Sequence, residues 1–577
     1  MRPQIRRHRL SLLVAVLAFA TSCSSEDPSP LEESVRTTPT DADVTVVHNA
    51  VIYTVDKATS WAEAFAYDRD GNIIAVGTDD EVFAAAGQDA ATIDADGRLV
   101  LPGFQDPHVH VPEAGINHGL CLWPAGRPLA DYESLARDCA EEQHDTDWVR
   151  AAGPSLFGLR DTDELPIDLL DRAIPDRPAL ILDDLGHAVW TNSLGLEAAG
   201  ITTDAIDPQG GILHRDADGR LTGLLLEDAQ QLVRNAAATD DETNYEALLV
   251  ALDELARNGV TTISDAGGYW GQNHPAAWSL AEGRGTLTVR AVNSLYVYPD
   301  LDVDEQLAEF EARFSDDPEA MLRFNTAKVY IDGILDLGTA ALVTPYDVAV
   351  DEDYPSGFSY FQPDQLDTYT NELHQLGYRI NFHVIGDGAA RTALDAIETI
   401  DDKPDAIADR RHRLTHVFLV HADDVDRFAE LGVVADFQLN PDAVDTGYHR
   451  YLTEFIGDRA LDLIPTRTLV DANATVTLSS DWDAGPLSPF GTIERSLTRD
   501  TNPLPDVETA IALMTINAAY TLGHDNSTGS IEVGKQADYV IVDRNILEID
   551  ADKIDAAKIE LTVVAGTEVY RRSGFTG

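Results

Sequence analysis

The sequence predicts an α/β protein: a (β/α)8 TIM barrel with an insertion after strand 1, plus a small β-sandwich formed by the N- and C-terminal segments. Three observations carry this reading. Eight short strand-like segments alternate with helical stretches such as YEALLVALDELARNG, the pattern of a parallel sheet covered by helices. Both ends of the chain carry short alternating strands punctuated by Gly turns. Polar residues of metal-binding type fall near the ends of particular central strands, where a barrel enzyme assembles its site.

The N-terminal elements come first. Arg2, Arg6, Arg7 and Arg9 precede the apolar run LSLLVAVLAFA, and TSCSS follows it. This is the charged region and short hydrophobic region of a signal peptide. The run is far short of the ~20 residues of a membrane span. Cys23 follows small residues, where a lipoprotein signal places its lipidated cysteine. Residues 1–23 therefore read as a lipoprotein-type signal peptide. The protein is expected to be exported to the cell envelope, anchored at Cys23 and facing outward or into the periplasm. The Arg6-Arg7 pair also permits a twin-arginine route. Residues 24–42, rich in Ser, Pro, Thr, Glu and Asp, read as a flexible tether.

Residues 43–100 alternate as strands in DVTVVHNAVIYTV, EAFAYDRDGNIIAVG and ATIDADGRLV, with DRDG and DADG as hairpin-turn signals. Residues 521–577 answer with GSIEVGKQADYVIVD and IELTVVAGTEVYR, the second part of the sandwich. Between them, residues 101–520 read as the barrel. The apolar run LVLP reads as its first strand, leading into PGFQDPHVH at 102–110. The next seven are VTTISDA (260–266), LTVRAVNSLYV (287–297), NTAKVYIDG (325–333), YRINFHVIG (378–386), RLTHVFLV (413–420), VVADFQLN (433–440) and TVTLSSDW (475–482). An insertion at about 115–245 holds ALILDDLGHAVWTN and GGILHRDADGRLTGLLLEDA.

Composition narrows the function classes. A chain of 577 residues is too long for one ordinary core, and 44% apolar content is that of a globular protein. The net charge of −59, with 41 basic against 100 acidic residues, repels nucleic acid and anionic membrane surfaces. A membrane partner is therefore expected only through the lipid anchor. The acidic residues are spread along the whole chain, which reads as a solubility or salt adaptation. Past Cys23 only Cys121 and Cys139 remain; they either pair in an exported protein or stay as buried thiols. Without a CxxC pair, a cysteine zinc site is not expected.

The chemistry begins at PGFQDPHVH. Residues i and i+2 of a strand point to one face, so His108 and His110 can grip one metal ion. Lys328 lies in the fourth strand, His383 in the fifth, His416 in the sixth and Asp481 in the eighth. Singly, each has a structural explanation: a paired buried lysine, core histidines, a capping aspartate. Together they sit where a barrel converges its catalytic groups. No GxGxxG, P-loop or Ser-centred elbow offers a competing chemistry.

This set resembles the amidohydrolase superfamily, in the branch similar to N-substituted formamide deformylases. PGFQDPHVH, KVYIDG with the later GTA, NFHVIGDGA, RLTHV and SSDW resemble that family's metal-strand motifs. GHAVWTNSLGLEAAGI resembles an insertion motif whose histidine, here His187, faces the active site. GSIEVGKQADYVIVD resembles the end motif that closes the sandwich. The resemblance implies one or two divalent metal ions, with zinc the expected identity. His108, His110 and Asp481 would bind one, and His383 and His416 the second. Lys328, carboxylated by carbon dioxide, would bridge them. Two departures stand out: Asp336 is added in DGILDLGTA, and Thr415 replaces the commoner Glu before the histidine of RLTHV.

The resemblance implies hydrolysis of an amide-type C–N bond by metal-activated hydroxide, the substrate being an N-acyl or N-formyl amine or a cyclic amide. Asp481 would shuttle the proton. His187 would polarise the carbonyl or serve only as a structural histidine. The alternatives are an isomerase, dehydratase or deaminase on the same scaffold, or a non-catalytic surface binding protein. Self-association as a homodimer stays open.

Overall fold

A computed structural model describes residues 43–160, 162–349 and 353–577. The expected signal peptide, Cys23 and the tether lie outside the described residues. The central architecture is an eight-stranded parallel sheet rolled into a (β/α)8 barrel. Its strands are β1 (Phe104–Val109), β2 (Val260–Gly268), β3 (Arg290–Tyr296), β4 (Leu322–Tyr330), β5 (Arg379–Val384), β6 (Arg413–His416), β7 (Val434–Gln438) and β8 (Thr475–Ser479). Each pairs in parallel with the next in sequence. The strands are buried on both faces, because helices cover the outside and side chains fill the inside, and they carry buried polar residues such as Asp106, Asn293, Lys328 and Arg413 among the apolar ones.

The helix Asp241–Arg257, before β2, shows how the outer layer forms. Asp240 caps it by accepting the Thr243 N–H. Leu248, Leu252 and Leu255 recur at helical spacing and are buried.

The barrel closes between β8 and β1, just past the end of β8. The Asp481 N–H donates to the His108 carbonyl at 2.9 Å, and the His110 N–H to the Trp482 carbonyl at 2.5 Å. Deeper in the seam, the buried carboxyl of Asp106 accepts the backbone N–H groups of His108 and Ser480, each at 3.2 Å.

Three local expectations are corrected. LVLP is not the first barrel strand. Leu99–Pro102 pairs with Val51–Tyr53 and Tyr539–Val542 in a terminal sheet, and the barrel strand starts at Phe104. LVLP is the apolar run and draws the assignment, whereas the barrel strand FQDPHV carries Gln105, Asp106 and His108; Pro102-Gly103 marks the change of sheet. A Cβ on Gly103 would lie 2.2 Å from the Thr261 side chain, so the crossing requires glycine. DADG is a turn but not a hairpin. It carries the chain from Ala91–Asp94 in one terminal sheet to Leu99–Pro102 in the other. RLTHVFLV pairs only as far as His416, because His416 and Val417 both take positive φ, 72° and 45°.

The terminal segments form two sheets. Four strands come from the N-terminal segment alone, and six combine Val51–Tyr53, Trp61–Ala62 and Leu99–Pro102 with the C-terminal strands. Val47, Phe65, Tyr539, Ile541 and Leu561 share the apolar core of this part. Between β1 and β2 the insertion builds a six-stranded mixed sheet around Trp123, Tyr132 and Trp190. Cys121 and Cys139 are joined by a disulfide, which ties the first strand of that sheet to the helix Tyr132–Glu142. Among the described residues no helix is long and apolar enough to cross a membrane.

Candidate metal centre

The site is assembled from the ends of β1, β4, β5, β6 and β8. Strand alternation turns His108 and His110 to one face. Their Nε2 atoms lie 3.3 and 3.4 Å from the same atom, Oδ1 of Asp481. Asp481 follows β8 in a left-handed conformation, φ 55°. Closure of the barrel thus delivers the carboxylate to the histidine pair. The ligand atoms of these three side chains all lie within 4.8 Å of one another.

The other ring nitrogens are anchored. Nδ1 of His110 is 2.7 Å from Oε2 of Glu113, which also pairs with the buried Arg234. Nδ1 of His108 is 2.9 Å from the Thr415 hydroxyl, which donates its own proton to Asp436 at 2.9 Å. A carboxylate only accepts, and a hydroxyl whose proton is already committed also accepts. Both rings therefore carry their proton on Nδ1 and turn the Nε2 lone pair toward Asp481.

Electrostatics favour the same state. Burial holds His108 well below the usual histidine range, so the ring is neutral. Burial alone would raise the Asp481 carboxyl, but the neighbouring histidines outweigh it and keep it well below the ordinary carboxylate range. Lys328 is fully buried, its Nζ 3.3 Å from Nε2 of His108. Burial pushes its amine down to about 7, with Arg413 adding to the shift and Asp481 opposing it.

His383 stacks on Tyr330, ring centres 4.3 Å apart. Both its ring nitrogens are buried with no hydrogen-bond partner. Leaving buried polar atoms unsatisfied is costly, and a neutral imidazole with an open lone pair is a metal donor. His416 ends β6, its ring 4.4 Å from that of His383 and its Nδ1 3.9 Å from Oδ2 of Asp481. Burial pushes it down to about 3. The donor set of neutral imidazoles and a carboxylate suits a first-row divalent metal. The six candidate ligands converge at one end of the barrel: His108, His110 and Asp481 as the tight group, Lys328 beside them, and His383 with His416 as a second pair.

His187 reaches the site from the insertion, one residue before the strand Ala188–Thr191. Its ring centre is 5.1 Å from that of His383. Nδ1 lies 2.6 Å from Oε2 of Glu227. Burial would lower the pKa of His187, but the Glu227 carboxylate prevails and raises it. A pocket of about 170 Å³ opens over these groups, with Leu335, Ile385 and Phe418 on its apolar wall. Asp336, the added residue of DGILDLGTA, also lines it and accepts the Tyr448 hydroxyl at 2.5 Å.

Sequence reading missed Glu113, Glu227 and Asp436. Glu113 was within reach, since it follows His110 by three residues at the start of a short helix. Asp436 and Glu227 are lone carboxylates in apolar strands, VVADFQLN and LTGLLLE, and that isolation was their signal.

The comparisons agree with this geometry. Residues 91–570 match the amidohydrolase family model, and the chain belongs to that family. It is 27% identical over 555 residues to an N-substituted formamide deformylase of Arthrobacter pascens, covering 92% of this chain and 98% of that protein. It is 27% identical over 547 residues to the putative amidohydrolase YtcJ of Bacillus subtilis, covering 91% of this chain and 99% of that one. In structure it is similar to an uncharacterized metal-dependent hydrolase from Pyrococcus horikoshii, with a TM-score of 0.69, 21% identity and coverage of 88% of this chain and 99% of the other. Family and metal cluster together define a metal-dependent hydrolase of non-peptide, amide-type C–N bonds.

Proposed function

We propose that this enzyme hydrolyses a small N-formyl or N-acyl amine, or a cyclic amide, in the pocket over Asp481. The observation that carries the reading is the approach of one Asp481 oxygen to Nε2 of both His108 and His110, at 3.3 and 3.4 Å. Similarity to a protein named for formamide deformylation supports the substrate class. When bound, a divalent metal acidifies water towards a pKa of ~7 and polarises a carbonyl oxygen. His108, His110 and Asp481 would hold one ion, and His383 and His416 a second, with zinc the expected metal. Lys328 as its carbamate would bridge the two; its full burial beside His108 supports this role.

The remaining work falls to side chains. Oδ2 of Asp481 takes a proton from the attacking water and returns it to the leaving nitrogen. His187 acts as the imidazolium that the Glu227 carboxylate favours: Nδ1–H donates to Glu227 and Nε2–H donates to the carbonyl oxygen. The apolar wall holds the organic substituent and excludes bulk water. We propose also that the mature protein is exported and lipid-anchored through Cys23, a reading supported by the N-terminal sequence pattern.

The test is metal analysis of the purified protein with a mass-spectrometric screen of N-formyl amines, N-acyl amines, cyclic amides and esters. We expect one or two tightly held divalent ions, and release of amine and carboxylic acid that stops on chelation. Isomerised, dehydrated or deaminated products from a metal-loaded protein that leaves every amide intact would overturn the reading.

A further inference from the structure

Glu227 ends the strand Leu221–Glu227 of the insertion and is only 1% exposed. Ala188 pairs with Leu226 in the antiparallel register, which sets His187 against Glu227. There the Glu227 N–H donates to the His187 carbonyl at 2.8 Å. The backbone of Glu227 has φ 54°. A non-glycine residue held there is strained and persists only where its surroundings fix it.

Those surroundings come from two parts of the molecule. From the insertion, His187 Nδ1 lies 2.6 Å from Oε2. From the segment after β4, Tyr360 donates its hydroxyl to Oε2 at 2.5 Å, and Thr339 donates to Oε1. Gly333 lets that segment approach: a Cβ there would stand 2.2 Å from Oε1. Gly333 and Thr339 belong to the DG and GTA runs that follow Lys328. One buried carboxylate thus ties the histidine of the insertion to the loop behind the lysine strand.

We propose that Glu227 is a positioning residue: it holds the His187 ring through Nδ1–H so that Nε2–H donates to the carbonyl oxygen of the bound substrate, an inference that rests on the amide-hydrolase reading. A carboxylate only accepts, so the Nδ1 proton is committed to it and a single ring edge is left for the pocket. The arrangement follows the triad logic in which a buried acid orients a working imidazole. A merely structural Glu227 would support folding without acting through His187.

The experiment compares E227Q, H187Q and the double variant, in the full chain loaded with metal. E227Q keeps the side-chain shape. We expect kcat to fall roughly 10- to 100-fold with little change in KM and in bound metal. In the H187Q background the same change should cost nothing more, because both act through one group. Wild-type kcat in E227Q, or fully additive losses, would overturn the proposal while leaving amide hydrolysis intact. A second readout needs no substrate. The His187 Nδ1 proton should give a far-downfield NMR resonance, identified by its absence in H187Q and shifted upfield in E227Q. A resonance unmoved by E227Q overturns the proposal. If it moves as expected while the wild type cleaves no amide, Glu227 positions the ring and it is the amide reading that fails.

Discussion

Thr415 and His108 are joined by a hydrogen bond of 2.9 Å from ring Nδ1 to hydroxyl oxygen, and the hydroxyl proton continues to Asp436 at 2.9 Å. Thr415 stands where the family resemblance leads one to expect Glu. The carboxyl group at this place belongs instead to Asp436, on the neighbouring strand. Asp436 on β7 also accepts from Thr477 at 2.8 Å and from Ser479 and Gln438 at 2.9 Å. The threonine hydroxyl links that carboxyl group to the Nδ1 of His108.

Replacing Thr415 by Val keeps the shape and breaks the link. It strands the Nδ1–H of His108 in a fully buried layer, while Oδ2 of Asp436 keeps Ser479 and Gln438; the loss should cost about 1–3 kcal/mol in a denaturant melt. Metal affinity, measured by chelator competition, should weaken by roughly 10- to 100-fold. Unaltered metal affinity would show that Thr415 does not hold the ring.

The disulfide gives a second expectation. Cys121 and Cys139 are 18 residues apart. Closing a loop of that size restricts the unfolded chain and is worth about 2–4 kcal/mol. Cys139→Ala, or reduction of the wild type, should lower the stability of the insertion by that amount while metal content stays constant. Two alkylatable thiols at these positions in the unreduced, unfolded protein would contradict the bridge.

How far the sequence reached can be judged from particular residues. The order of the barrel strands and the convergence of His108, Lys328, His383, His416 and Asp481 were legible, because strand ends and the parallel alternation carry their own patterns. The boundary at Gly103 was not, because the apolar run LVLP looks more like a buried barrel strand than the polar FQDPHV that follows it. Asp436 and Glu227 were hidden for another reason. Their meaning lies in partners far away in the chain, 21 residues to Thr415 and 40 to His187, and spacing cannot reveal such contacts. The disulfide was open in sequence because pairing depends on the geometry of a strand and a helix that only the folded insertion sets.

The charge of −59 sets a third expectation. Like charges repel over a Debye length of ~10 Å at 0.1 M salt and ~3 Å at 1 M. Salt should therefore relieve self-repulsion, and the melting temperature should rise between low and molar concentration. A flat or falling melting temperature would remove the view of the acidic surface as a salt adaptation.

Cys23→Ser tests the proposed anchor. The variant should move from the membrane fraction to the soluble exported fraction, and the wild type should carry more than one acyl chain, since a single chain binds only marginally. A wild-type protein that is soluble and cleaved at another residue would end this reading.

Asp481 and Lys328 separate proton transfer from metal holding. Asp481→Asn preserves shape but replaces an acceptor-only carboxylate with an amide, at the atom that approaches both His108 and His110. Loss of a general base typically costs 10²–10⁴-fold in rate, and turnover should fall at least that far, further if metal is lost. Lys328→Ala should act differently. An ammonium has no lone pair to give a metal, whereas the proposed carbamate would offer two oxygens. Its removal should lower bound metal directly, and short carboxylic acids should restore part of both metal content and activity by filling the place of the carbamate. Metal content and turnover measured side by side on the two variants decide between the roles. A capping role for Asp481 would instead give a modest stability loss with metal and turnover intact. Full metal content in Lys328→Ala would remove the bridge from the mechanism while leaving the group formed by His108, His110 and Asp481 in place.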